Sequence, residues 1–375
     1  MILKRIFSLV LIGLILLSAP INVAAISVSA ECACVIDMLT GRVIYDKNMQ
    51  KTHTMASTTK IMTALVALEN SNPDDIVTVS NNAAGEEGTS LYLKSGQKAT
   101  MQDLLYGLML QSGNDAAIAI AEGVAGNVTK FAQMMTERAK KIGAKNTSFK
   151  NPNGLDEEGH HTTAYDLALI TKEAMKNERF SEIVSTKSKT ILDGTQTVSN
   201  HNKMLRIYDG CIGVKTGFTK KSGRCLVTAA KRGEVGVIAV TLNAPDDWND
   251  HKNMLDYAFS TTEYFPVILS GMTINAITVK NGTSKTVEIS AQKDFYITEN
   301  KDDKFKNITV KCHIPKELIA PIYKGDKIGE LSVYYKDELQ TTIDLCASAN
   351  VEFETKKHND FLENFKKLLT FSCKA

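Results

Sequence analysis

Ser57-Thr58-Thr59-Lys60, running straight into Ile61-Met62-Thr63-Ala64-Leu65-Val66-Ala67-Leu68-Glu69, is the stretch on which the fold turns. Ile61, Leu65 and Leu68 share one side, with Met62 and Val66 beside them, so the spacing predicts a largely buried helix over about 57–69 that stops at Asn72-Pro73. Positions three apart share a helix face, so the Ser57 hydroxyl and the Lys60 amine can meet. A serine hydroxyl is a weak nucleophile until an adjacent base takes its proton, and a lysine serves only once it has lost its own. From an ordinary value near 10.4 that requires a fall of roughly three pH units, or about 4 to 5 kcal/mol against the charged form. Burial and a second cation, Lys215, together supply such a fall.

Two more short motifs stand downstream. Thr100 and Asp103 have capping-box spacing ahead of Leu104, Leu105, Leu108 and Met109; Ser112-Gly113-Asn114 then interrupts, and helical character resumes over Ala116–Val124. In such a loop Ser112 can relay a proton and Asn114 can bind a substrate amide. Lys215-Thr216-Gly217 falls in a strand predicted over Gly210–Phe218, paired with Arg224–Ala230 and followed by Val235–Leu242. At a strand edge, Lys215 and Thr216 offer a cation and a hydroxyl to a carboxylate, Gly217 permits close backbone approach, and an extended peptide can pair alongside. An oxyanion formed when Ser57 attacks a carbonyl needs preorganised N–H donors, and the backbone groups of Ser57 and Phe218 are the candidates. Taken singly, each motif is an ordinary helix cap, loop or turn.

In this order, the three motifs resemble the serine penicillin-recognising superfamily. Asn151-Pro152-Asn153-Gly154-Leu155, Thr163-Ala164-Tyr165-Asp166-Leu167-Ala168 and Asp209-Gly210 ahead of Lys215-Thr216-Gly217-Phe218-Thr219 narrow the resemblance to the D-Ala-D-Ala carboxypeptidases, the low-molecular-weight penicillin-binding proteins. The similarity covers roughly residues 30–265. It implies an α/β fold of the serine β-lactamase and penicillin-binding-protein type, an antiparallel sheet flanked by helices plus a helical region. It also implies an acyl-enzyme on Ser57 with Lys60 and Ser112 in the catalytic set, and Asn114, Lys215, Thr216, Gly217 and Phe218 binding substrate. The implied substrate is a peptidoglycan pentapeptide ending in D-Ala-D-Ala, with β-lactams as covalent inhibitors and no cofactor or metal. Many family members carry an arginine ahead of the domain's last helix that helps bind the terminal carboxylate. Here Asp250, His251 and Lys252 occupy that neighbourhood, which leaves the carboxylate to Lys215 and Thr216 with His251 or Lys252 as helper. A D,D-endopeptidase, a β-lactamase and a non-catalytic β-lactam or peptidoglycan receptor are the alternatives on this fold; Glu157 and Glu158 lack the context of a β-lactamase deacylating glutamate.

The remainder is bounded more loosely. Lys4 and Arg5 precede an apolar run from Ile6 to Leu17, and Val23 and Ala25 suit cleavage after Ala25, so residues 1–25 read as an export signal, with an uncleaved anchor as the alternative. Its removal takes the formal charge from +2 to 0, which offers nothing to a nucleic acid. Export puts the chain on the outer face of the cytoplasmic membrane or in the cell wall, where disulfides are permitted. Of the seven cysteines, Cys211 with Cys225 or Cys312 with Cys346 are pairs that neighbouring strands would allow; buried reduced thiols are the alternative. His160-His161 lacks metal-site companions and reads as a surface loop. The carboxypeptidase-like domain is expected over 26–267. After a helix over about Asn253–Thr261 the texture turns to short alternating runs such as Ile308, Val310, Cys312 and Ile314, predicting an all-β domain over 268–352. Over 353–375, Phe361, Leu362, Phe365, Leu368 and Leu369 form one helical face beside Lys366 and Lys367, suited to lying on a membrane surface.

Overall fold

The computed structural model describes residues 26–233, 235–300, 307–354 and 365–367. The expected export signal lies outside these residues, as does the C-terminal helix apart from Phe365, Lys366 and Lys367, which are helical.

Cys32–Asp37 (β1) turns back into Val43–Lys47 (β2) because Asp37 Oδ1 accepts from the N–H groups of Leu39 and Thr40 and from the Thr40 hydroxyl. These strands join Cys211–Thr219 (β3), Gly223–Arg232 (β4) and Val235–Leu242 (β5) in a five-stranded antiparallel sheet ordered β2-β1-β5-β4-β3. The inner strands are apolar nearly throughout because both faces are covered. Cys32, Cys34 and Ile36 with Ile238 and Val240 enter the large core beneath the helices, while Ala33, Val35, Val237 and Ala239 enter a second core on the other face.

The large core is shared with Lys60–Asn70 (α1), Met101–Tyr106 (α2), Asn114–Ala125 (α3), Val128–Ile142 (α4), Ala164–Ala174 (α5) and Glu178–Ser185 (α6). The predicted cap at Thr100 forms, its hydroxyl accepting from Asp103 N–H at 3.0 Å, and α4 ends at Gly143 with φ +95°. Asp247–Thr261 (α7) covers the second core through Met254, Leu255 and Ala258. This helix starts six residues ahead of the predicted Asn253, because Asp247, Trp248 and Asp250 lack the apolar period that marks its later turns.

The C-terminal unit is all β, as expected. Thr262–Ile268 (β6) pairs with Phe295–Asn300 (β9). Thr273–Lys280 (β7), Thr286–Ala291 (β8), Ile308–His313 (β10), Glu317–Ile319 (β11), Lys327–Tyr335 (β12) and Glu338–Ala347 (β13) make a six-stranded sheet ordered β10-β12-β13-β8-β7-β11. The alternation in β10 does not mark a buried face: Val310 and Cys312 are exposed, because β10 is an edge strand hydrogen-bonded to β12. Both candidate disulfides fail on register. Cys211 lies opposite Ala230 and Cys225 opposite Gly217, at opposite ends of one ladder, while Cys312 faces Leu331 and Cys346 faces Lys327. The six described cysteines are free thiols. No helix among the described residues is long and apolar enough to cross a membrane.

Candidate active site

Ser57 sits in a single 3-10 turn, Ala56–Thr59, that feeds directly into α1. Ala56 adopts φ +47°, a left-handed conformation costing an alanine about 1 kcal/mol or more, and the turn is held from outside. Gly154 backs it: that residue has φ +89°, and a Cβ there would stand 2.0 Å from the Ala56 carbonyl oxygen. The sharp turn lets Lys60, at the first position of α1, reach back with Nζ 3.0 Å from Ser57 Oγ.

Lys60 is fully buried and meets two further acceptors, Asn114 Oδ1 at 2.7 Å and the Asn153 carbonyl at 2.6 Å. A neutral amine has two N–H bonds and one lone pair. Once Lys60 is neutral, donation of both N–H bonds to Asn114 and Asn153 leaves its lone pair for the serine hydroxyl. Burial holds the Lys60 pKa well below the usual lysine range; the charge of Lys215 lowers it further, and Glu86 and Asp115 act in the opposite sense. Burial likewise brings Lys215 down to about 7.

Ser112-Gly113-Asn114 breaks the helical run as expected, through a five-residue π turn at Gly107–Gln111 and a left-handed Ser112 with φ +66°. Asn114 is placed differently from the sequence expectation. It is buried, with Oδ1 accepting from Lys60 and Nδ2 donating to the Glu87 carbonyl at 2.6 Å, so one end holds the base and the other is anchored to the loop at Glu87. The neighbouring Asp115 accepts from Leu91 and Leu93 N–H and from the Ser90 hydroxyl, which fastens residues 90–93 beside the motif.

β3 is the sheet edge nearest this turn, as predicted for Lys215-Thr216-Gly217. Alternation along the strand divides the motif: Lys215 and Gly217 face one way, Thr216 and Phe218 the other. Lys215 is 1% exposed and donates to the Thr216 carbonyl at 2.9 Å, so it stands behind the cleft wall, where the sequence reading had it facing a carboxylate. Gly217 lines the cleft, and a Cβ there would lie 3.0 Å from both Ser57 N and Thr58 N, so its bare Cα also lets the strand close on the catalytic turn. A cleft of about 390 Å³ opens between these elements, lined by Ser57, Ser112, Thr216, Phe218, Arg224 and Trp248 among others, a size that suits a small peptide end.

The structure also corrects the histidines and the helper. His160 is buried, not part of a surface loop: Lys150 N–H donates to Nδ1, so Nε2 carries the proton and donates to Thr59 Oγ1 at 2.8 Å. Burial brings its pKa down to about 4. His251 lies under the sheet between Thr228 and Thr241, whose hydroxyls meet its two ring nitrogens, and neither it nor Lys252 lines the cleft. Asp250 accepts from Ser29 and Ala30 N–H, tying the start of the folded chain to α7.

Sequence reasoning missed Asn153, Glu86, Asp115, Arg224 and Trp248. Asn153 acts through its backbone carbonyl, which leaves no trace in residue type. Asp115 carried the signal of an acid in the first turn of a helix next to a motif.

The D-alanyl-D-alanine carboxypeptidase family profile matches residues 19–246. The chain belongs to that family. A second profile, the C-terminal domain of penicillin-binding protein 5, matches residues 263–353. The chain is 35% identical to the D-alanyl-D-alanine carboxypeptidase DacF of Bacillus subtilis over 348 residues, 88% of this chain and 90% of the relative. It is 31% identical to DacD of Salmonella typhimurium, covering 84% of each. Among solved structures, penicillin binding protein 5 of Haemophilus influenzae superposes with a TM-score of 0.65 at 27% identity, over 88% of this chain and all of that one. These matches extend the likeness through the β-rich unit as well as the carboxypeptidase domain.

Proposed function

We propose that this chain is a serine D-alanyl-D-alanine carboxypeptidase that removes the terminal D-alanine from peptidoglycan pentapeptides and is acylated by β-lactams on Ser57. One observation carries the mechanism: the Lys60 amine stands 3.0 Å from the Ser57 hydroxyl with its other contacts taken by Asn114 and Asn153. Ser57 Oγ attacks the penultimate D-alanine carbonyl as its proton passes to Lys60 Nζ. The N–H groups of Ser57 and Phe218 receive the oxyanion, and the C–N bond breaks as the proton reaches the departing amine by way of Lys60 and Ser112. Water then attacks the ester carbonyl as one of its protons passes to Lys60 Nζ, and Lys60 hands that proton to Ser57 Oγ as the shortened peptide leaves. Residues 26–267 carry this chemistry in our reading. The apolar run Ile6–Leu17 supports export, and the lysine-flanked apolar face near Phe365 supports a membrane-surface contact for 353–375, beyond the β-rich 268–352.

Incubation with a pentapeptide ending in D-Ala-D-Ala, followed by mass spectrometry, is expected to release one D-alanine per peptide, and Ser57→Ala to abolish that release. Equal release by wild type and Ser57→Ala, or none by either, refutes the proposal.

A further inference from the structure

The wall of the cleft opposite Ser112 is built from residues that none of the three motifs contains. Arg224 stands on β4 directly across the ladder from Phe218, so its side chain emerges on the same face as those of Phe218 and Thr216. Nε and Nη2 donate to Asp247 Oδ1 at 3.0 and 2.6 Å. Those bonds take two of the five N–H donors of a guanidinium and aim its other edge. The indole of Trp248 lies beneath, with the Arg224 guanidinium carbon 5.8 Å from the ring centroid, and Lys203 Nζ approaches the same ring at 6.0 Å. All four side chains line the cleft that holds Ser57. The Asp247 side chain is nearly buried at 4% while that of Arg224 is 43% exposed, so the acid works as an anchor and the guanidinium remains open to the cleft. Two cations against one carboxylate leave this wall with a formal charge of +1.

The basic candidates named from the sequence do not line this cleft, since Lys215 lies behind the wall and His251 beneath the sheet. We propose that Arg224, oriented by Asp247 and Trp248 and assisted by Lys203, reads the free carboxylate at the end of the substrate; this rests on the carboxypeptidase reading above. The two cations come from an inner strand, β4, and from the segment ahead of β3, while the first turn of α7 supplies the Asp247 and Trp248 that orient them. Its chemistry fits a planar carboxylate, which a guanidinium edge can meet with two parallel N–H bonds.

The test compares each ligand with its charge-neutral twin: benzylpenicillin against its methyl ester for acylation rate, and the pentapeptide acid against its C-terminal amide for kcat/KM. Arg224→Gln is expected to lower the rates for the acid forms about 10- to 100-fold and those for the neutral forms less than about threefold. Lys203→Gln, at an exposed position, is expected to lower the acid forms about threefold and to spare the ester. A wild-type preference for acid over ester retained in Arg224→Gln, or equal loss on both forms, overturns the assignment. Should Arg224→Gln fail to fold, an unchanged acid-to-ester ratio in Lys203→Gln overturns it instead. Absence of pentapeptide turnover in the wild type would sink the carboxypeptidase reading alone, because the penicillin pair still scores Arg224.

Discussion

Glu86 never touches Ser57, yet it acts on the base from two directions. Its carboxylate accepts from Asn153 Nδ2 at 2.5 Å, steadying the residue whose carbonyl accepts a hydrogen bond from Lys60, and its charge favours the ammonium form of Lys60. Glu86→Gln retains an acceptor and removes the charge. Acylation requires the neutral amine, so its rate rises with pH as Lys60 deprotonates. Losing a nearby negative charge makes that deprotonation easier and should move the acid limb of the acylation profile to lower pH. An unmoved limb in stopped-flow acylation would show that Glu86 is a spacer only. Lys60→Ala should keep the fold and lose labelling by fluorescent penicillin, by about a thousandfold or more if the amine is the base. Gly217→Ala tests the contact between strand and turn. A methyl group 3.0 Å from Ser57 N must displace the donor meant for the oxyanion, so acylation should fall at least about tenfold with little change in melting temperature.

At the scale of elements, the site depends on how one turn is braced. The 3-10 turn bearing Ser57 enters α1 from a left-handed Ala56, and Gly154, beyond the end of α4, leaves room for the Ala56 carbonyl. Gly154→Ala introduces both a clash and an unfavourable φ, so it should cost about 2 kcal/mol or more and abolish acylation, checked by urea denaturation beside a penicillin-labelling assay. Thr100→Ala is the contrasting case. It removes the cap on α2 and should cost about 1 kcal/mol in the same denaturation while leaving acylation unchanged, because Thr100 does not line the cleft.

Across the whole molecule, two neutral histidines make stability depend on acidity. His160 joins the Ser57 turn to the loop at Lys150, and His251 joins α7 to β4 and β5; burial lowers their pKa values to about 4 and about 3. Below the unfolded value near 6.5, the unfolded chain binds protons that the folded chain refuses, so stability rises with pH across that interval. It should be full above about pH 6.5 and decline as pH falls through 6 and 5 toward 4. Melting temperatures measured from pH 4 to 8 should follow that course, and His251→Gln should flatten part of the slope. A flat profile below pH 6.5 would mean that both rings charge freely in the folded state.

The sequence by itself determined what lies close along the chain. Helical spacing joined Ser57 to Lys60, strand-forming runs predicted β3, β4 and β5, and Thr100 marked a helix start, because caps and short residue patterns are local properties of the chain. The family was legible for the same reason: its motifs are short and each lies on one element. Tertiary structure alone decided which way each motif residue faces. A strand exposes every second residue, which sent Lys215 behind the wall and Thr216 into the cleft, while the Ser57 turn covers His160 and the sheet covers His251. Arg224, Asp247 and Trp248 came together through a strand register and a helix start, neither of which leaves a pattern in residue order.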